Sequence, residues 1–293
     1  MVHPYWEAPL RELPAVAIER FIKMGWLVPA TLAAKLGSRF KASDLKPLLK
    51  ERGLRVSGRK DELLERLIAA DEAGMTALVA EMKVYECSPE ARTRAEQYKL
   101  EQAQQRAMTE DRVLNQLCAC DFRSASQTVA AFEAAQVFSR GIGIDWSKPN
   151  VSRDVEQLKA IFELKPKILD GLAEADWGPL RVAAGMMALW GTGSAKGWLP
   201  DNLNGVPKFD IDTAARMLLF AANHKLRMVE YRQLSGTAVG IKSFEVSVTT
   251  DSCAVCKQMA GKRYKLSELP ELPHAGCTHA YGCRCMAMPV FDR

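Results

Sequence analysis

The chain has 293 residues, of which 48% are hydrophobic and 26% charged, and its formal net charge is +5. This length fits two or three compact units with sizeable cores, and the mild basic excess permits a polyanionic partner without requiring one. The sequence has no run of about 18–20 apolar residues that would span a bilayer, and Glu7 and Glu12 interrupt the N-terminal stretch where a signal peptide would be apolar. We therefore expect a cytoplasmic protein without a membrane partner.

Helical periodicity dominates the chain up to about residue 236. The first predicted region, 1–86, has apolar positions at helical spacing and then a pair of short helices. Ser43 is predicted to cap the first helix of this pair, and Gly53 supplies the left-handed turn that ends it. The second helix is predicted to run from about Lys60 to Ala70. These elements predict a helix–loop–helix inside a larger helical region.

The helix pair carries a compact sequence motif. Leucines recur at helical spacing in both helices, so the two can bury a shared face. Between them lies the short link Ser57-Gly58-Arg59-Lys60. The whole stretch, FKASDLKPLLKERGLRVSGRKDELLERLIAADE (residues 40–72), resembles the SAP family, a short helix–loop–helix DNA-binding module. The resemblance implies binding to double-stranded DNA, with a preference for AT-rich or structured sites.

Positive charge collects around this link. Backbone N–H groups at the start of the second helix, beside two cations, are suited to binding phosphate. Contacts of this kind give salt-dependent affinity with little sequence discrimination. Acidic residues nearly balance the bases of the module, so the alternative is a packing unit with a solvated, mixed-charge surface. The candidate DNA-binding residues are Lys46, Lys50, Arg52, Arg55, Ser57, Gly58, Arg59 and Lys60.

The second predicted region, 87–150, consists of a long polar helix and a linker. Ser88-Pro89-Glu90 is typical of a helix start, and the helix is predicted to run to about residue 120. Its sparse apolar stripe suits a spacer, or a contact with a second copy of the chain or another protein. The loop 141–152 is the predicted boundary that follows.

The third predicted region, 151–240, is helical. Its helices are expected at about 152–171, at 179–190 and over Ile211–Leu234. After Gly240 the period changes to two, which predicts a strand through Phe244, Val246 and Val248.

The last predicted region, 241–293, holds five of the eight cysteines. Without an export signal, these residues read as thiols or metal ligands rather than as disulfides. Cys253 and Cys256 are spaced so that two thiolates can reach one tetrahedral ion, and a second cluster about twenty residues later can close the site. Zinc would then replace the hydrophobic core that so short a segment cannot build.

The ligand set of this structural zinc site is left open by the sequence. Cys253 and Cys256 form one pair, and the remaining candidates are Cys277, Cys283, Cys285 and, as substitutes, His279 or His274. The alternative is a set of free cysteines or a redox pair, but the βαβ pattern that accompanies a redox CxxC is absent from the sequence.

The C-terminal region also has a family resemblance. The helix that ends near Leu234, the segment GIKSFEVSVTTDSCAVCKQMAGKRY and the closing Cys283-Arg284-Cys285 are similar to the C-terminal domain of phage head-morphogenesis (minor head) proteins. In that family Asp-x-x-Cys-x-x-Cys is followed by His-x-x-Cys-Arg-Cys, whereas the closing element here, from His274 to Cys285, is longer. The resemblance covers about residues 208–290 and implies a phage or prophage origin.

The expected fold is therefore mainly α: a SAP module, a central helical region and a small zinc-stabilised α+β end. Three functions fit these features. The first is a non-enzymatic protein that tethers to DNA through the SAP module. The second is a metal-dependent DNA nuclease or toxin that uses the C-terminal Cys/His cluster. The third is a phage head-assembly component, associated with the particle, in which the long polar helix is an assembly surface.

Overall fold

The computed structural model describes residues 6–137, 139–140, 144–201, 203, 206, 208–235 and 240–291. The predicted boundary loop 141–152 lies partly outside these residues. The chain forms two compact units, Met1–Gln104 and Gln105–Arg293. The division into four regions that we expect from the sequence stays a prediction. Within the described ranges, no helix is long and apolar enough to cross a membrane.

The first unit combines helices with a two-stranded antiparallel sheet. Its helices are α1 (Glu7–Leu10), α2 (Pro14–Lys23), α3 (Leu32–Arg39), α4 (Ala42–Glu51), α5 (Lys60–Ala70), α6 (Glu72–Leu78) and the start of α7 (Pro89–Cys118). The strands β1 (Leu27–Pro29) and β2 (Tyr85–Cys87) pair with Val28 opposite Glu86. The amide of Ser88 also donates to the carbonyl of Trp26, so the chain returns to the end of α2 before α7 begins.

Helices α3 to α6 share one hydrophobic core. Leucines at helical spacing on α4 and α5 face each other, as the sequence predicts, and neighbours on α3 and near α6 close the core. Its buried side chains are Leu36, Leu45, Leu49, Leu63, Leu64, Leu67, Met75 and Val79. The predicted helix–loop–helix is confirmed, and a helix on either side extends it into a four-helix core.

The start of α4 differs from the prediction. The helix begins at Ala42, and Lys41, not Ser43, is the residue before it. The amide of Lys41 donates to the carboxylate of Asp44 at 2.8 Å, which satisfies a helix-start N–H in place of the expected serine cap. The predicted second helix is confirmed at both ends, since α5 spans Lys60–Ala70.

The second unit is a helical assembly joined to a small sheet. Its helices are the remainder of α7, α8 (Phe122–Ala135), α9 (Val151–Glu163), α10 (Trp177–Trp190), α11 (Ile211–Ser235) and the short α12 (Ala254–Lys257). One core runs through these helices and the C-terminal region, from Leu117 and Leu158 through Trp190 and Leu218 to Val246. The buried C-terminal cysteines belong to this same core.

Two helices of this unit differ from their predictions. The helix expected at 152–171 ends at Glu163, because Pro166 disfavours helical backbone just before it, and a short 3₁₀ turn over Lys167–Leu169 follows. The expected linker contains α8, a regular helix in which the carboxylate of Asp121 accepts from the amide of Ser124 at 3.2 Å. The sequence-based reading missed this second helix, whose apolar face packs into the core.

The C-terminal sheet has three antiparallel strands. The central strand β3 (Ile241–Ser247) lies between β4 (Arg263–Tyr264) and β5 (Met286–Phe291). Phe244 and Val246 are buried, as predicted, but the strand ends at Ser247, and Val248, which was expected in it, lies just beyond and is half-buried. The ring of Phe244 packs against Tyr231 of α11 at 5.3 Å between centroids. The expectation of a mainly α protein with a small α+β end is therefore confirmed.

Candidate nucleic-acid interface and metal centre

The link between α4 and α5 is held by the chain's own hydrogen bonds. Gly53 adopts a φ of 65°, and its amide donates to the carbonyl of Lys50 at 3.0 Å, so α4 ends in the predicted left-handed turn. The guanidinium of Arg66, on α5, donates to the carbonyls of Arg55 and Ser57. This side chain braces the link from the helix that follows it.

Gly58 and Glu62 fix the entry to α5. The amide of Arg59 donates to Oε2 of Glu62 at 3.2 Å. Gly58 has a φ of 136°, and a Cβ atom built on it would lie 2.5 Å from the same oxygen. The positive φ favours glycine at this position, and a side chain here would also have to displace the Glu62 carboxylate from its place at the start of α5. The first free N–H of the predicted phosphate site is therefore already bonded within the protein.

Two of the candidate cations, Arg52 and Lys60, use their charged groups to hold neighbouring parts of the module. Arg52 donates to Oδ2 of Asp71 from Nε at 3.0 Å and from Nη2 at 2.6 Å, and to the carbonyl of Leu48. The hydrogen bond from Arg52 lowers the pKa of Asp71, so the pair is ionised. Lys60 donates to the carbonyl of Gly37 and so ties α5 to α3. Both cations are directed into the module.

Three other candidates remain fully available. Lys46 and Lys50 lie one turn apart on the exposed side of α4, and Arg59 is exposed at the start of α5. The charged ends of these three side chains make no hydrogen bond or ion pair with any other residue that the structure describes. Arg55 is also exposed and donates to Oγ of Ser57 at 2.7 Å. The exposed cations are thus separated from those that hold the fold.

The five C-terminal cysteines converge. Their sulfur atoms form two groups in which all members lie within 4.8 Å of one another, and Cys256 belongs to both. The groups are Cys253, Cys256 and Cys277, and Cys256, Cys283 and Cys285. The other three cysteines, Cys87, Cys118 and Cys120, are exposed. The structure therefore gathers the five predicted cysteine candidates and neither adjacent histidine.

The spacing of the sulfurs fits a tetrahedral ion. Sγ of Cys253 lies 3.8 Å from Sγ of Cys277, and Sγ of Cys256 lies 4.0 Å from Sγ of Cys283. Four thiolates held about 2.3 Å from zinc in tetrahedral geometry are separated by about 3.8 Å. Each of these two separations matches one edge of such a tetrahedron, but no four of the described sulfurs all lie within 4.8 Å of one another, so a fourth sulfur must move closer for an ion to be enclosed. Soft, nearly enclosed sulfur donors are also the set that zinc prefers.

Both histidines make other contacts. Nδ1 of His279 accepts from the amide of Tyr281 at 3.1 Å, and its Nε2 lies 3.0 Å from Nη2 of Arg284 and 3.5 Å from the carboxylate of Asp251. Nδ1 of His274 accepts from the amide of Gly276, and the amide of His274 donates to Sγ of Cys283 at 3.4 Å. His279 is thus placed beside the cysteine cluster and outside it.

The cysteine thiols differ in acidity. Burial raises the pKa of Cys253, but hydrogen bonds from the backbone amides of Thr278 and Cys256 outweigh it and bring the pKa to about 6. A hydrogen bond from the thiol of Cys285 lowers the pKa of Cys283 to about 5. Burial raises the pKa of Cys277 to about 11 and also raises that of Cys256. A metal ion must therefore displace protons from the last two thiols.

Comparisons with known proteins bear on the N-terminal module. No curated protein and no solved structure matches the chain. The resemblance of the C-terminal region to phage head-morphogenesis proteins has no matching family model and stays a prediction. Residues 38–72 match the family model of the SAP domain, which confirms the module predicted over residues 40–72.

Proposed function

We propose that this chain binds double-stranded DNA through its SAP module. The observation that carries the proposal is the separation of cations within a segment that matches the SAP family: Lys46, Lys50 and Arg59 are exposed and unpaired among the described residues, whereas Arg52 and Lys60 hold the fold. Free cations on a rigid surface are suited to neutralising phosphates.

The contact surface we propose is smaller than the predicted set of eight residues. It consists of the side chains of Lys46, Lys50, Arg55 and Arg59 with the exposed link at Ser57 and Gly58. These side chains would contact the phosphates of the DNA backbone, so they give affinity without strong sequence selectivity. Glu62 already accepts from the amide of Arg59, and the phosphate contacts therefore depend mainly on side chains.

The test is fluorescence anisotropy of a labelled duplex titrated with the full chain. The triple variant (Lys46→Gln, Lys50→Gln, Arg59→Gln) is expected to lose most of the affinity of the wild type while keeping its thermal stability. Equal affinity of the two proteins would contradict the proposal. A plasmid incubated with the protein and Mg²⁺ or Mn²⁺ is expected to stay intact, and chelator-sensitive cleavage would support a nuclease instead.

We also propose that the C-terminal cysteines bind one structural zinc ion. Three of the ligands are the mutually close Cys253, Cys256 and Cys277, and the fourth we propose is Cys283, whose Sγ lies 4.0 Å from that of Cys256 and which moves towards the other two when the ion binds. The ion would join the loop after β3 to the strand β5, and so close a segment whose own core is small. Metal analysis of protein purified without added metal is expected to give one zinc per chain, and its absence would overturn the proposal.

A protein partner for α7 is a second candidate function, compatible with a head-assembly role. The observation that favours it is a set of large hydrophobic side chains exposed on this helix, Tyr98, Leu100 and Met108. Light scattering of the chain over a range of concentrations tests self-association. A variant with Leu100→Gln and Met108→Gln should remove any concentration dependence, and a chain that stays monomeric throughout would contradict self-association.

A further inference from the structure

A cavity of about 500 Å³ lies in the second unit, where α10 ends, α11 passes and the C-terminal cysteine loop folds over. This volume lies within the usual range for small-ligand sites. Arg216 of α11 and Arg284 of the loop contribute positive charge to its lining, and no acidic side chain among the described residues lines it. Two guanidinium groups therefore line the cavity, each with an acidic neighbour, Asp212 or Asp251, outside the lining.

Arg216 has unused hydrogen-bond donors. Its Nη2 donates to Oγ1 of Thr213 at 2.7 Å, but its Nε is buried with no partner among the described residues. The nearest acid, Asp212, is 3.7 Å from Nη2 and is itself bonded to Oγ of Ser194 and the amide of Ala195. Because Nε has almost no accessible surface, an anionic ligand in the cavity would bind the other N–H groups of this guanidinium, whose side chain is 33% exposed.

Arg284 is held in place from outside the cavity. Its Nη2 donates to Oδ2 of Asp251 at 2.5 Å and to Nε2 of His279 at 3.0 Å. These contacts fix one edge of the planar guanidinium while Arg284 still lines the cavity. A pre-oriented guanidinium suits phosphate oxygens, which it can bind with two parallel N–H donors.

The rest of the lining is apolar and aromatic. Met187, Met217 and Phe220 form part of the wall, and Tyr281 stands at the edge with 67% of its surface exposed. The ring of His279 packs beside Tyr281, 5.8 Å between centroids, and supports it from behind. An exposed aromatic ring next to fixed cations is the arrangement on which a nucleobase stacks while its phosphate is bound.

We propose that this cavity binds a nucleoside phosphate, either a free nucleotide or one nucleotide of a strand. Arg216 and Arg284 bind the phosphate, Tyr281 stacks on the base, and the methionine and phenylalanine side chains contact the sugar and the base edge. This goes beyond the proposed DNA tether, because it assigns a nucleotide contact to the second unit, which the SAP module does not include.

The experiment is isothermal titration of the zinc-replete full chain with 5′-dAMP. Arg216→Gln is expected to weaken dAMP binding about tenfold or more, and Tyr281→Ala about fivefold or more. Lys225→Gln, which changes an exposed cation of α11 that pairs with Glu163, is the matched control and should leave binding unchanged. Inorganic phosphate and deoxyadenosine are each expected to bind at least tenfold more weakly than dAMP.

The proposal is overturned if the wild type does not bind dAMP, if Tyr281→Ala binds it as tightly as the wild type, or if phosphate binds as tightly as dAMP. Because Tyr281 is exposed, its replacement stays informative even if Arg216→Gln unfolds. Tighter binding of a short single-stranded oligodeoxyadenylate than of dAMP, measured in the triple variant, identifies a strand as the source; equal or weaker binding identifies the free nucleotide.

The experiments distinguish a failure of the proposed DNA binding by the SAP module from a failure of the proposed nucleotide site in the second unit. The triple variant is expected to lose duplex binding and to keep dAMP binding, whereas Arg216→Gln is expected to do the reverse. Loss of dAMP binding in the triple variant would contradict a site in the second unit.

Discussion

The amide of Cys283 donates a hydrogen bond to the thioether sulfur of Met217, 3.1 Å away, and this contact anchors the cysteine loop on α11. Gly282, with a φ of 80°, permits the approach, because a Cβ atom there would lie 2.6 Å from the end of the Met217 side chain. One close contact therefore positions both a cysteine of the proposed zinc site and a wall of the cavity.

The variant Gly282→Ala tests this contact. The new methyl group would strain the left-handed backbone and collide with Met217, so we expect the second unit to lose about 2 kcal/mol or more of stability. Thermal unfolding measures the loss. Gly261→Ala is the control, since Gly261 has a similar left-handed φ of 69° but a Cβ atom there meets nothing within 4 Å. Equal destabilisation by the two substitutions would show that the contact with Met217 is unimportant.

The cations of the SAP module are expected to separate into two classes. Arg52→Gln breaks the two hydrogen bonds from this guanidinium to Oδ2 of Asp71, so it should lower the free energy of unfolding and leave the salt dependence of DNA binding unchanged. Lys46→Gln should leave the free energy of unfolding unchanged and reduce the salt dependence of DNA binding. Urea unfolding and anisotropy at several salt concentrations measure the two properties. A change in the salt dependence of DNA binding with Arg52→Gln would instead show that the Arg52 guanidinium contacts the DNA.

Zinc content should follow the sulfur geometry. Native mass spectrometry of Cys253→Ser, Cys256→Ser, Cys277→Ser and Cys283→Ser is expected to show loss of the zinc ion, because each removes one corner of the tetrahedron. Cys285→Ser should keep the ion, as should the exposed-site control Cys118→Ser. If Cys285→Ser loses zinc and Cys283→Ser retains it, the fourth ligand is Cys285.

The low pKa of His224 leads us to expect that the free energy of unfolding decreases in acid. Burial lowers its pKa from 6.5 to about 4, and repulsion from Arg227 adds to the effect. As the pH falls below 6.5, the unfolded chain takes up the proton before the folded chain does, so the free energy of unfolding decreases until about pH 4. The slope is at most about 1.4 kcal/mol per pH unit, and partial exposure of the ring reduces it.

The variant His224→Gln isolates this contribution, since glutamine does not titrate. Urea unfolding at pH 7 and at pH 5 should show a smaller decrease for the variant than for the wild type. An identical decrease in both proteins would mean that His224 is protonated as readily in the folded chain as in the unfolded one.

Local patterns predicted the SAP module and the convergence of the cysteines. The leucines of α4 and α5 repeat at helical spacing, and Cys253 and Cys256 are brought together by a single turn, so these two features need no distant information. The return of Cys277, Cys283 and Cys285 to that pair is a long-range contact, which was predicted from the ligand spacing typical of zinc sites. The match of residues 38–72 to the SAP family confirms the first of these predictions.

Contacts between distant residues were beyond the reach of these patterns. Arg52 is drawn to Asp71, which lies 19 positions away and outside the α4–link–α5 motif, so charge alone did not distinguish it from Lys46. His279 turns towards Asp251 and Arg284 rather than to the sulfurs. The cavity was also hidden, because Met187, Arg216 and Tyr281 meet only when the C-terminal loop folds onto α11.

The salt dependence of duplex binding is the measurement that bears most closely on the proposed DNA tether. Each phosphate contact contributes about 0.9 to the slope of the logarithm of affinity against the logarithm of salt concentration. We expect the triple variant (Lys46→Gln, Lys50→Gln, Arg59→Gln) to reduce the magnitude of that slope by about three. A control variant with the exposed lysines Lys167, Lys257 and Lys262 of the second unit changed to glutamine should retain the wild-type slope. A triple variant with unchanged slope and affinity would contradict DNA binding through this surface.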